Sequence, residues 1–196
     1  MIKRASIRLA AAALALPGCS LGLGGKTPDL LLTLTPDETL PAAADATASA
    51  DRALAIGIPV VPQALDTTRI PVTSGPTSIA YLKDAVWVDT PDNLFRSLLN
   101  ETVAARTGRT VIDPVQVSFT VGNLLNGQLQ SFGLDAQTME AVVVFDAAFS
   151  RTTGGLTTRR FEARVPVAAA ERDLVAPALN QAANQVAAQV ADWIGR

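Results

Sequence analysis

Residues 139–167 read MEAVVVFDAAFSRTTGGLTTRRFEARVPV, and the two halves differ in kind. Met139 to Ser150 is an almost unbroken apolar run with β-branched and aromatic side chains, as expected of a buried strand. Thr157 to Val167 alternates instead: Phe161, Ala163 and Val165 share one parity, and Arg160, Glu162 and Arg164 share the other. Such a strand turns one face to a core and the other to water. Between the halves, RTTGG (151–155) provides the glycines of a hairpin turn. A long antiparallel pair is therefore expected.

The core face of that pair needs a second layer, and two stretches have helical period. Thr90, Pro91 and Asp92 make a helix start, with a hydroxyl cap, a proline at the first position and an acid at the positive dipole end. Leu94, Phe95, Leu98, Leu99 and Thr102 then fall on one face, and Arg106 and Gly108 mark the end, so the spacing predicts a helix over 91–107. A second helix is predicted from about Asp173 to Ile194. Its stripe is Val175, Leu179, Val186, Val190 and Trp193 or Ile194, while Gln181, Asn184, Gln185 and Gln189 cover the rest. Pro177 is expected near its first turn.

Shorter strands are predicted at Asp29–Thr35, at Leu54–Ile58 with Pro59 and Pro62 at an edge, in pieces between Arg69 and Asp89, at Thr110–Val121, and at Gln128–Leu134. Residues 36–51, rich in Ala, Thr and Pro, have little to bury and read as a loop. Strands, a helix, a hairpin-rich set of strands and a closing helix give an α+β, two-layer domain.

The N-terminus has a separate logic. Lys3, Arg4 and Arg8 precede an apolar run from Leu9 to Leu16, the layout of an export signal and about half the roughly 20 residues a membrane-spanning helix needs. Leu16, Pro17, Gly18 and Cys19 follow. They resemble the lipobox of bacterial lipoproteins, in which cleavage after a tiny residue leaves an acylated cysteine as residue one. The thiol is the side chain suited to accept that lipid. Cys19 is the only cysteine of the chain, and a lone exposed thiol would be a liability in an oxidising compartment. The expected organisation is a signal peptide over 1–18 cut after Gly18, a lipidated Gly-rich tether over 19–28, and one domain over 29–196. Ser20, standing where Asp would retain a lipoprotein in the inner membrane, points to the outer membrane. The alternative is an ordinary secretory signal cut near Ala13–Ala15.

Composition excludes several classes. Losing 1–18 removes three of the 16 basic residues and none of the 18 acids, so the remainder is distinctly acidic and unsuited to nucleic acid. The chain has no histidine, which removes the usual zinc ligand and the imidazole base of nucleophilic triads. GGKT (24–27) lacks both the upstream glycine and the preceding strand of a phosphate loop, and Pro28 follows it. An enzyme would depend on acids such as Asp84, Asp89 and Asp92, which read better as turn, helix-entry and dipole residues. No catalytic residue, cofactor or metal is expected.

The opening LTLTP, the segment IGIPVVPQALDTTRIPV, the tryptophan ahead of a helix in VWVDTPDNLFRSLLNETV and an Ala-rich closing helix behind a lipobox together resemble the ABC-type transport auxiliary lipoproteins. The resemblance implies a fold like the N-terminal domain of TolB, a mixed, mostly antiparallel sheet with two helices on one face. It also implies a non-catalytic component of an MCE/ABC-type phospholipid transport system at the periplasmic face of the outer membrane. The implied partners are an MCE-domain protein and, through it, a permease and an ATPase, together with assembly as a homo-oligomer. The alternative role is that of a generic outer-membrane assembly lipoprotein, a partner of lipopolysaccharide export or barrel assembly. Trp87, Phe95 and Trp193 are the candidate partner-facing side chains, although their spacings fit core packing better, and Arg159, Arg160 and Arg164 fit a solvated strand face better than a dock for an acidic partner.

Overall fold

The computed structural model describes residues 30–40, 53–112, 122–152 and 154–195. In chain order the elements are β1 (Leu54–Ile56), β2 (Arg69–Gly75), β3 (Ser78–Val86), α1 (Pro91–Thr107), β4 (Val111–Ile112), β5 (Asn123–Asp135), β6 (Glu140–Ser150), β7 (Leu156–Pro166) and α2 (Arg172–Ile194). The strands form one mixed, seven-stranded sheet, and both helices pack on one face, so the domain is α+β as expected.

The long antiparallel series β5–β6–β7 is the frame. β6 and β7 pair from Glu140↔Pro166 to Ser150↔Leu156 without a register shift. The turn between them uses Gly154 (φ 89°) and Gly155 (φ 100°), backbone conformations costly for other residues. On the opposite side of β5, β1 pairs Asn123–Leu125, Val60 bridges Gln128, and β2 pairs Leu134–Asp135, all parallel. The chain from Leu54 to Thr73 thus runs beside one edge of β5 in three separate contacts.

Side-chain alternation then settles which face is covered. Leu125, Leu129, Phe132, Val143, Phe145, Phe149, Phe161 and Ala163 all point to the helices and are buried. Phe95 of α1 meets Phe145 edge-on at 5.2 Å between ring centroids, and Trp193 of α2 does the same to Phe149 at 6.0 Å. Ala178, Ala182, Ala183, Ala187 and Ala191 are buried along α2, where small side chains allow close packing.

Several local expectations are corrected. Strand 29–35 reduces, over its described part, to a single bridge between Leu32 and Trp87. β1 is buried at all three residues and ends at Ile56, so Ile58 is exposed rather than on its core parity. Of strand 110–121 only Val111–Ile112 is assigned; 113–121 lie outside the described residues, as do 41–52 of the expected loop. β5 begins five residues before Gln128, because Asn123, Asn126 and Gly127 continue the ladder. Thr90 makes no side-chain cap; the side chains at the helix entry bond one another instead, Asp89 Oδ1 accepting from the Thr90 N–H at 2.7 Å and from the Asn93 side-chain amide at 3.1 Å. Pro177 lies in the second turn of α2, where its missing N–H leaves the Asp173 carbonyl without a helical donor.

Candidate interaction surfaces

Two surfaces stand out from the packed interior. The first is where the N-terminal segment meets the domain. Leu32 donates its N–H to the Val86 carbonyl at 2.8 Å and accepts from the Val88 N–H at 2.8 Å, so the segment extends the sheet beyond the end of β3. The next residues cross onto α2, where two side-chain amides hold them. Asn180 Oδ1 accepts from the Thr35 N–H at 2.8 Å; Asn184 Oδ1 accepts from the Asp37 N–H, and its Nδ2 donates to the Thr35 carbonyl, both at 2.9 Å. Arg106 then joins the segment to both helices, bonding Glu38 and, at 2.9 Å, Asp192. The Asp192 hydrogen bond, with Glu38 adding to it, raises the Arg106 pKa above its ordinary value. The sequence places Asn184 among polar covering residues, whereas it is 5% exposed and engaged on both amide atoms. A buried amide in a helix facing a β-like segment is the kind of residue that periodicity alone files on the wrong face.

The second surface is the sheet face opposite the helices. Its polar part is an ion-pair lattice: Arg160 forks onto Asp146 at 2.6 Å through both Nε and Nη2, and Gln130 donates to the same carboxylate at 2.9 Å. Arg164 bonds Glu162 and Glu140 and lies 3.8 Å from Asp135. The Arg160 hydrogen bond holds the Asp146 carboxyl below the usual carboxylate range, partly opposed by desolvation. Beside this lattice a groove of about 400 Å³ runs between β2, β5 and β6 under the 62–65 loop, with Pro62, Pro71, Ile79 and Val142 among its walls and Arg164 at its rim. Ile79 is 56% exposed. Gly133 lines the groove floor because a Cβ there would collide with the Pro71 carbonyl oxygen.

Of the candidate aromatics, Trp87 and Phe95 take the core place that their spacing favours. Trp87 and Phe95 are core residues, 1% and 0% exposed, and are not available to a partner. Trp87 packs edge-on to Phe132, and its backbone is bridged to Leu32 at the end of β3. Trp193 is half-buried against Phe149 and Phe161. Arg160 and Arg164 belong to the ion-pair lattice, and Arg159 lies 5.1 Å from the Phe161 ring centroid. Gly18, Cys19 and Ser20 lie outside the described residues.

The acids considered for catalysis lie at the entry of α1 and on β3. Asp89 precedes α1, and its pKa is lowered chiefly by the Asn93 side-chain amide and then by the Thr90 N–H. Asp84 is exposed on β3 with φ 53°, beside Lys83 at 4.0 Å. Asp92 sits in the first turn of α1. Among the described residues no three His, Cys, Asp or Glu side chains are grouped to hold a metal, and no described helix is long and apolar enough to cross a membrane.

The family model of the ABC-type transport auxiliary lipoprotein component matches residues 33–191, from the clamped N-terminal segment nearly to the end of α2. The chain belongs to this family. A crystal structure of protein XCC0632 from Xanthomonas campestris superposes on this ABC-type transport auxiliary lipoprotein with a TM-score of 0.65 at 17% identity, covering 85% of this chain and 95% of that one. A crystal structure of an uncharacterized protein does so at 0.65 and 15% identity, covering 84% and 99%. At those identities the likeness is one of fold. Comparison with curated proteins found no match. Membership makes the protein an auxiliary component of an ABC transport system and a lipoprotein by class.

Proposed function

We propose that this protein is the non-catalytic, lipid-anchored component of an ABC system that moves phospholipid, working with an MCE-domain protein, a permease and an ATPase. In this reading residues 1–18 are the signal peptide, Cys19 carries the lipid, 19–28 are the tether and 29–196 the working domain at the periplasmic face of the outer membrane. The observation that carries the reading is the family match over 33–191; the lipobox-like stretch at 16–19 ahead of it supports the anchor. The geometry is consistent with it. From Cys19 to Leu30 the chain reaches at most roughly 40 Å, and it meets the domain at a segment fixed to α2 by two amides and an arginine. Two or more acyl chains anchor stably where one does not, at about 0.8 kcal/mol per buried methylene.

The test joins two readouts. Deleting the gene is expected to raise outer-membrane permeability and alter phospholipid distribution, and the tagged, lipidated protein is expected to co-purify an MCE-domain protein. Unchanged membranes together with no such partner overturn the transport reading. Mass spectrometry of the mature N-terminus checks the anchor separately: a free thiol on Cys19 removes it.

A further inference from the structure

The chain enters the described domain through exposed apolar side chains. Leu30 and Leu31 are 53% and 50% exposed, and Val88, on the stretch they run beside, is 54% exposed. The bridge at Leu32 sets them together. Leu32 bonds the backbones of Val86 and Val88 on either side of Trp87, so Leu32 and Trp87 share the side that packs on the core. By alternation Leu31, Val86 and Val88 share the opposite side, with Leu30 leading into them.

We propose that this entry surface seats the domain directly on the bilayer that holds its anchor, with Leu30, Leu31 and Val88 entering the boundary between headgroups and acyl chains. The inference rests on the Cys19 anchor of the transport reading and adds to it a second contact made by the protein itself. The surface does not trail from the domain. Beyond Leu32 the segment is bonded to Asn180 and Asn184 of α2 and to Arg106 of α1, so whatever holds the two leucines holds the whole domain.

The anchor selects the occupant. From Cys19 to Leu30 the chain spans at most roughly 40 Å, close to the roughly 35 Å length of α2. The entry surface is therefore the part of the domain that the lipid holds nearest to the membrane. A second contact made at such proximity is intramolecular, and a small apolar surface is enough to populate it. Charge around the surface is close to balanced: Lys83 pairs with Asp84 at 4.0 Å and Arg172 with Asp173 at 2.8 Å, while Asp89, beside Val88, bonds Thr90 and Asn93. The contact is thus carried by burial, unlike a basic patch on anionic lipid, which salt releases.

The test uses the full-length, lipidated protein in vesicles of phosphatidylethanolamine and phosphatidylglycerol that contain a lipid with a nitroxide high on its acyl chain. Cys19 is the only cysteine and carries the lipid, so a second cysteine takes a fluorescent probe alone. Probes at Leu31→Cys and Val88→Cys are expected to be quenched by the nitroxide, and a probe at Thr158→Cys on β7, at the other end of the strand series β3–β2–β5–β6–β7, is not. Added salt is expected to leave the quenching in place. Leu30→Asp with Leu31→Asp is expected to lower the ratio of seated to free domain at the Val88→Cys probe about tenfold, the factor carried by burying two half-exposed leucines, with an unchanged circular dichroism spectrum. If that variant misfolds, the comparison of probe positions decides. A lipidated protein whose Val88→Cys probe is quenched no more than Thr158→Cys overturns the seating and leaves the anchor standing. Quenching that salt abolishes, or that the folded aspartate variant retains, also overturns it. A free thiol on Cys19 in the same sample, read by mass spectrometry, removes anchor and seating together.

Discussion

On the helix side of β6 and β7, Phe145, Phe149 and Phe161 are each about 1% exposed and interlock with Phe95 and Trp193. On the other side the same two strands carry Asp146, Arg160, Glu162 and Arg164, held together by ion pairs. One face is fixed by shape and the exclusion of water; the other by charge pairs that remain wet. The difference separates what folds the domain from what it offers to others. A face fixed by packing punishes any loss of volume, whereas a wet ion-pair face tolerates change and is free to meet a partner.

That contrast breaks if the packed face proves as tolerant as the open one. Phe145→Ala removes the ring against which Phe95 packs, and a fully buried Phe truncated to Ala costs about 3–5 kcal/mol. Urea denaturation is expected to show that loss in the midpoint with an unchanged slope. A loss below about 1 kcal/mol would mean the helix layer is not what stabilises the sheet.

The N-terminal clamp lies between the two regimes. Asn184 is buried in α2, yet the groups it bonds, on Thr35 and Asp37, belong to exposed residues that water can serve instead. Asn184→Ala is therefore expected to cost about 1–2 kcal/mol. Its signature is local: amide exchange in residues 32–37 should quicken while the β6–β7 ladder stays protected. Uniform acceleration across the sheet would place the clamp within the global folding unit.

Legibility in the sequence follows the same division. α1 stands where the proline and apolar spacing put it, and β6, β7 and α2 agree to within a residue at each end, because β7 and α2 have strong periods and β6 is an apolar run bounded by polar residues. Three features carry no local signal. Asn123, Asn126 and Gly127 read as strand breakers, yet continue β5, because the inward Leu125 and Leu129 are buried between neighbours on both sides. β1 and β2 both lie parallel to β5, a choice made by tertiary pairing between segments far apart in sequence. Trp87 and Phe95 read as core more readily than as a partner surface, and the facing Phe132 and Phe145 show them to be core. The groove on the open face was invisible for the same reason: Pro62, Pro71, Ile79 and Val142 come from four separate stretches.

The open face supplies the smallest expected effect and the sharpest pH signature. Asp146 accepts two bonds from Arg160 and one from Gln130, and the Arg160 bonds depress its folded pKa. Arg160 remains well exposed, so solvent screens the pair. Asp146→Asn is expected to lower the Tm at pH 7 by about 2 °C or less. For a carboxyl depressed on folding, the stabilising contribution is complete above the unfolded pKa of about 3.9 and disappears as pH falls through the folded value. The Tm gap between wild type and variant is thus expected to stay constant from neutral pH down to about 5, to narrow below about 4, and to shrink with added salt at pH 7. A gap that widened on acidification would mean the carboxyl is held protonated in the folded protein. The lattice would then be a desolvated network like the helix side, and the contrast between the two faces would no longer hold.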